Sequence, residues 1–283
     1  MIASEAKPVP DIPITRIGPS TSNFGARVKE LWDYRELLYF LVWRDVKVRY
    51  KQTSIGVGWA VIQPLLTMII FTLVFGRFAK IPSDGLPYPI FSFAALLPWT
   101  YFASSLTQSI LSVVNNSNLI TKVYFPRLML PIAAVVCGLV DFSIAFVFLV
   151  GMTIWYGLVP GLGILFVPVF VLLTMLSALS VSLWLSAINV RYRDVGQAIP
   201  FLVQIWLFAS PVAYPASVVP EKWRLLYNLN PMAGVIEGFR WALFGKQTPD
   251  VLAIAISIAV VLALLVSGIV FFKRMEETFA DVV

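Results

Sequence analysis

Six long apolar stretches constrain this chain more than any other feature, near residues 57–78, 90–113, 131–156, 162–188, 197–214 and 250–272. Each approaches the ~20 residues that a helix needs to cross ~30 Å of hydrocarbon. In that medium only helices and closed barrels satisfy their own backbone groups. The expectation is an all-α integral membrane protein with six transmembrane helices. Composition agrees, since 59% of the 283 residues are hydrophobic and 13% are charged, against roughly 25% charged in a soluble domain. Pro64, Pro98, Pro168 and Pro200 fall inside the stretches and mark kinks or helix ends.

Charge in the connections sets the expected topology. Arg44, Lys47, Arg49 and Lys51 precede the first stretch, Lys122 and Arg127 follow the second, Arg191 and Arg193 follow the fourth, and Lys273 and Arg274 follow the sixth. With an even number of spans these segments share one side. The positive-inside rule then places both termini in the cytoplasm. The net charge of +6 is accounted for in this way. No basic stripe stands apart from a span, so nucleic acid is excluded as a partner.

Two segments do not span. Residues 1–31 are polar and proline-rich, lack the apolar core of a signal peptide, and read as a mobile cytoplasmic tail. Residues 32–52 mix Leu37, Leu38, Phe40, Leu41 and Val42 with eight charges, which fits an amphipathic helix at the cytoplasmic interface. Residues 53–283 then form the membrane domain. Within it, 215–249 carries Lys222, Arg224, Arg240 and Lys246 on the external side, with apolar runs too short to cross. Two short re-entrant helices broken at Asn230-Pro231 meet those demands; the alternatives are a plain external loop and a hidden seventh span, which would put the C-terminus outside. Glu237 and Arg240 are spaced to pair on one helix face.

Enzymatic signatures are missing. There is no histidine, one cysteine (Cys137), no phosphate-binding loop and no metal or nucleophile motif. Asp141 lies inside the third stretch, where an acid is costly and is either functional or bonded to a neighbouring helix. Aromatic residues make up 14% of the chain. Many belong to interfacial belts. Trp59, Trp99, Tyr101, Phe102, Trp184, Trp206, Phe208 and Tyr214 are instead candidates to line a path, because sugar C–H faces stack on rings. The connections Asn115–Pro131 and Asn189–Phe201 are too apolar for bare solvated loops. An apolar patch ringed by charge reads as a docking site, or packs on the chain's own interface helix.

The runs SNLITKVYFPRLMLP, NVRYRDV followed by Pro200, and LNPMAGVIEGFRWALFG, with RYKQTSIGVGWAVIQPLL at the first span, resemble the permease subunit of ABC-2 polysaccharide and polyol-phosphate exporters. That family includes O-antigen, capsule and teichoic-acid exporters, and the resemblance covers roughly residues 35–275. It implies a homodimer of six-helix permeases driven by two copies of a separate cytoplasmic ATPase, which binds the ATP and magnesium; no cofactor is expected in this chain. Residues 118–127 would form the coupling helix, so Leu119, Ile120, Lys122, Tyr124, Phe125 and Arg127 would transmit motion. Arg191, Tyr192, Arg193 and Asp194 would do so at the second connection, and residues 33–51 would also touch the ATPase. Asn230, Pro231, Glu237 and Arg240 would belong to external gate helices. The cargo would be a polysaccharide on undecaprenyl diphosphate, with Arg44, Lys47, Arg49 and Lys51 as candidates for the diphosphate, exported across a bacterial inner membrane. A long polymer favours a continuous channel over simple alternating access. A permease for a drug or simple lipid, and a membrane enzyme acting on polyprenyl-linked sugars, are the competing readings.

Overall fold

The computed structural model describes residues 29, 31–51, 56–246, 250–276 and 279. The expected N-terminal tail therefore lies, except for two residues, outside the described part. All regular structure among the described residues is helical.

Helix boundaries follow the local chemistry of proline, asparagine and glycine. Helix α1 (Arg35–Tyr50) ends where Lys51 turns extended. A single tight turn (Gly56–Gly58) leads into α2 (Trp59–Phe71), which widens into a π-helical stretch over Thr72–Phe78. Helix α3 (Tyr88–Asn115) starts after Pro87 with Pro89 in its first turn, where the missing N–H has no partner to lose. Short α4 (Ser117–Lys122), α5 (Met129–Trp155), a tight-turn segment (Leu162–Phe166) and α6 (Val167–Arg191) follow. Then come α7 (Asp194–Phe208), α8 (Glu221–Asn228), α9 (Pro231–Phe244) and α10 (Val251–Glu276). Helix α9 closes on Gly245 at φ 61°, a left-handed conformation that glycine adopts without penalty.

Among the described residues, five helical segments are long and apolar enough to cross a membrane: Gly56–Phe78, Tyr88–Asn115, Met129–Trp155, Leu162–Arg191 and Val251–Glu276. The apolar stretch near 197–214 differs from its expected extent. Its helix starts three residues earlier, at Asp194, and stops at Phe208, giving 15 residues or ~22 Å. Pro211 is the cause, because it disfavours helical backbone at Ser210 and lacks a donor of its own.

Helix α3 is the central element, buried along most of its length and packed against α2, α5, α6, α7 and α9. Helix α10 lies outside α6 and α9. The bundle has two distinguishable ends. Asn116–Leu128, the α6–α7 corner at Tyr192–Arg193 and the last turn of α10 form a basic end carrying Lys122, Arg127, Arg191, Arg193, Lys273 and Arg274. At the opposite end Lys246 Nζ donates to Gly85 O at 2.9 Å and Tyr88 Oη donates to Ala213 O at 2.6 Å. Helix α1 begins at the basic end, where Leu41 joins Val113, Ile120, Phe125 and Phe272. It does not stay at that end. Arg49 and Tyr50 reach Asp141, twelve residues, or ~18 Å, along α5.

Candidate functional site: an aromatic and amide-lined cavity

A cavity of about 820 Å³ opens between α2, α3, α5 and α7. It runs along α3 from Leu96 to Gln108, a length of ~18 Å. Its rings are Tyr50, Trp59, Phe71, Trp99, Tyr101, Phe142 and Phe208. Its polar groups include Gln63, Thr67, Ser104, Thr107, Gln108 and Gln204. The hydroxyls of Thr67, Ser104 and Thr107 donate to Gln63 O, Tyr101 O and Ala103 O of their own helices. Each such oxygen keeps lone pairs to accept from a ligand O–H. Flat rings beside acceptors and amides make a surface that suits a polyhydroxylated ligand. At one end of the cavity the Arg49 guanidinium donates to Asp141 and Gln108, and Tyr50 Oη also donates to Asp141.

Four of the eight aromatics singled out in the sequence line this cavity: Trp59, Trp99, Tyr101 and Phe208. The other four sit elsewhere. Phe102 is fully buried and meets Trp206 edge-on at 5.1 Å. Trp206 Nε1 donates to Asn230 Oδ1 at 2.9 Å. Trp184 stacks on Phe271 and donates to Leu264 O, between α6 and α10. Tyr214 Oη donates to Phe208 O. The amides in the cavity wall were not singled out. Gln63, Gln108 and Gln204 each interrupt an apolar stretch, and that interruption was the available signal.

At the basic end, packing divides the segment after α3. Ile120 and Phe125 turn inward to Leu128, Met129, Phe272 and Phe279, with Leu119 half-buried beside them. The Arg127 backbone N–H donates to Glu276 Oε1 at 3.1 Å, and its guanidinium donates to Glu276 O and lies over the Phe279 ring. Lys122, Val123 and Tyr124 are exposed, as are Arg191, Tyr192, Arg193 and Asp194 at the next corner. Buried Asn189 holds that corner, accepting from Gly196 N at 2.8 Å and donating to Ile110 O. On α1, Arg44 pairs with neighbouring Asp45 at 2.8 Å, and Lys47 and Lys51 are exposed. Of these cations only Arg49 lines the cavity.

At the opposite end residues 215–246 form two short helices, α8 and α9. Asn230 fixes the break between them. Its Oδ1 accepts from Met232 N, and its Nδ2 donates to Ala209 O at 3.1 Å and Ser210 Oγ at 2.9 Å. Pro231 follows at the first helical position. Helix α9 is buried on nearly every side among α3, α6, α10 and Leu162–Phe166, the condition for short helices at membrane depth. Two glycines permit the contact: a Cβ on Gly238 would strike the Phe170 ring, and one on Gly234 would come 2.7 Å from Ala253 O. Glu237 and Arg240 do pair, at 3.2 Å. Arg240, 5% exposed, also donates to Phe91 O and Val212 O and lies 3.6 Å from the Phe91 ring centre. Burial pushes the Glu237 carboxyl above its ordinary range, opposed by Arg240. Each of the three guanidinium nitrogens donates to the chain itself, which makes this cation a fastener.

Long apolar helices around a ring- and amide-lined cavity define a multi-pass membrane protein. The chain belongs to the ABC-2 type transporter family, whose model matches residues 36–244. It is similar to the O-antigen export system permease protein RfbA of Myxococcus xanthus, 32% identical over 90% of this chain and 98% of that relative. It is similar to RfbA of Klebsiella pneumoniae, 28% identical over 87% of this chain and 95% of that relative. The polysialic acid transport protein KpsM of Escherichia coli is 20% identical over 83% of this chain and 91% of that protein.

Proposed function

We propose that this chain is the membrane-spanning subunit of an ATP-driven exporter for a polysaccharide of the O-antigen kind, carried on a polyprenyl diphosphate lipid. The observation that carries the reading is the full-length similarity to an O-antigen export permease at 32% identity. The cavity supports it chemically, since its rings and acceptors suit sugar faces and hydroxyls. The subunit works as a homodimer with two copies of a cytoplasmic ABC ATPase, in a bacterial inner membrane. The short α7 serves as the fifth of six crossings, the basic end faces the cytoplasm and both termini lie there, as the positive-inside rule requires.

In this reading, exposed Lys122, Val123 and Tyr124 and the Arg191–Asp194 corner form the face that meets the ATPase. Ile120, Phe125 and Arg127 carry its motion inward through their contacts with α10. Helices α8 and α9 form the external gate. ATP closure of the partner acts through differential affinity for two arrangements of this chain, so none of these residues is catalytic.

Deleting the chain and comparing immunoblots of intact and lysed cells tests the reading. Full-length glycan trapped inside and missing from the surface is the expected result. Glycan absent everywhere would point to synthesis instead, and glycan on the surface as before would remove the substrate assignment.

A further inference from the structure

The ion pair at the end of the cavity is an unusual way to fasten a helix. An intramembrane carboxylate and guanidinium are costly to desolvate, and well-packed apolar side chains of similar volume hold helices as well or better. A pair kept for strength alone is best sealed, because its attraction weakens as water reaches it. This pair is not sealed. The Arg49 side chain is 21% accessible and that of Asp141 is 27%, and both line the cavity wall with Gln108 and Tyr50. Among the described residues of that wall, Arg49 is the one cation.

The guanidinium fork fits a carboxylate and a phosphate with the same paired N–H geometry. We propose that Arg49 is the anion-binding residue of the cavity and that Asp141 is its resident counter-ion, exchanged for the phosphate of an incoming lipid headgroup. The inference rests on the transport reading above and adds the site at which the headgroup is recognised. In the structure Asp141 keeps Arg49 paired and Gln108 steadies the second arm of the fork. When a diphosphate enters, its oxygens take the fork, and Asp141 keeps the hydroxyl of Tyr50 as a donor. The same exchange frees the end of α1 from α5, tying headgroup arrival to movement of the helix that starts beside Ile120 and Phe125. Arg49 contacts the ligand, and Asp141 sets how tightly it is held.

The test uses the purified full-length chain in phosphatidylcholine nanodiscs, titrated with farnesyl diphosphate and, separately, farnesol. Tryptophan fluorescence reports binding, since Trp59 and Trp99 line the cavity. Wild type should prefer the diphosphate. Asp141→Asn removes the competitor and should bind farnesyl diphosphate roughly tenfold more tightly, with farnesol unchanged. The double variant R49Q/D141N leaves no unpaired charge, so its folding does not depend on the ion pair. It should lose the preference for diphosphate over farnesol.

A D141N protein that binds the diphosphate no better than wild type, or a double variant that keeps the full preference, overturns the proposal. Displacement of farnesyl diphosphate by equal phosphatidic acid, with no effect of inorganic diphosphate, would overturn the diphosphate assignment in favour of a membrane phospholipid. Failure here, with glycan still lost from the surface of the deletion strain, removes this inference alone. Normal surface glycan in the deletion strain removes the transport reading itself.

Discussion

Replacing Arg240 by Met should destabilise the fold more than replacing it together with its partner. Arg240→Met strips the charged donors from Phe91 O and Val212 O and leaves Glu237 with its Ala216 N–H but without its cation. Removing one partner of a buried ion pair costs about 3–5 kcal/mol. Glu237 is 23% accessible at its side chain, so water relieves part of the stranded charge and the expectation is the lower end, ~3 kcal/mol. Glu237→Gln keeps a carbonyl for Ala216 N but strands the buried Arg240 cation, which retains Phe91 O and Val212 O as acceptors, and should cost ~2 kcal/mol. The double variant strands no charge, so its cost should fall ~3 kcal/mol below the sum of the singles and below that of Arg240→Met alone. Unfolding by dodecyl sulfate titration in mixed micelles, followed by helical circular dichroism, measures all four corners of the cycle. Strict additivity would refute the claim that the two side chains form one buried unit. An Arg240→Met protein as stable as wild type would refute the fastening role altogether.

Gly238→Ala pushes a methyl into the Phe170 ring and should cost about 1–3 kcal/mol, whereas Gly151→Ala, with nothing within 4 Å, should be neutral or slightly stabilising. The same sulfate titration distinguishes them, and equal behaviour would refute the close approach of α9 to α6. Asn230→Ala removes the cap of α9 and its bonds to Trp206, Ala209 and Ser210. It should cost ~1–2 kcal/mol and red-shift Trp206 emission, measured against a Trp206→Phe control. Arg127→Ala releases the segment after α3 from the end of α10. It should abolish export in the deletion strain while membrane insertion and protein level persist, as followed by blotting of membrane fractions.

How much of this was legible before folding differs from element to element. The termination of α7 at Phe208 was available in Pro211 and was overridden by the length of the apolar run. The Glu237–Arg240 pair was readable because a helix places residues three apart on one face, as the structure does. Asp141 stood out as a charge in an apolar stretch, yet its partner lies 92 residues away. Arg49 had been grouped with Arg44, Lys47 and Lys51 as one basic set, although the four diverge in the fold. The aromatics show the same boundary. Composition and periodicity say that a ring is in a span but not whether it faces cavity or neighbour. Trp99 lines the cavity, while Phe102, one turn along the same helix, is sealed against Trp206.

The sequence by itself determined that this is a helical membrane protein, where most of its helices start and stop, and which segments are too short or too charged to span. Those properties follow from transfer free energies and backbone chemistry that act within ~20 residues of chain. Tertiary structure alone decided which four of the eight rings share a cavity, that amides join them there, and that Arg49 rather than Arg44, Lys47 or Lys51 enters it. Such pairings depend on the rotation and depth of one helix against another, and side-chain packing over the whole bundle sets those quantities.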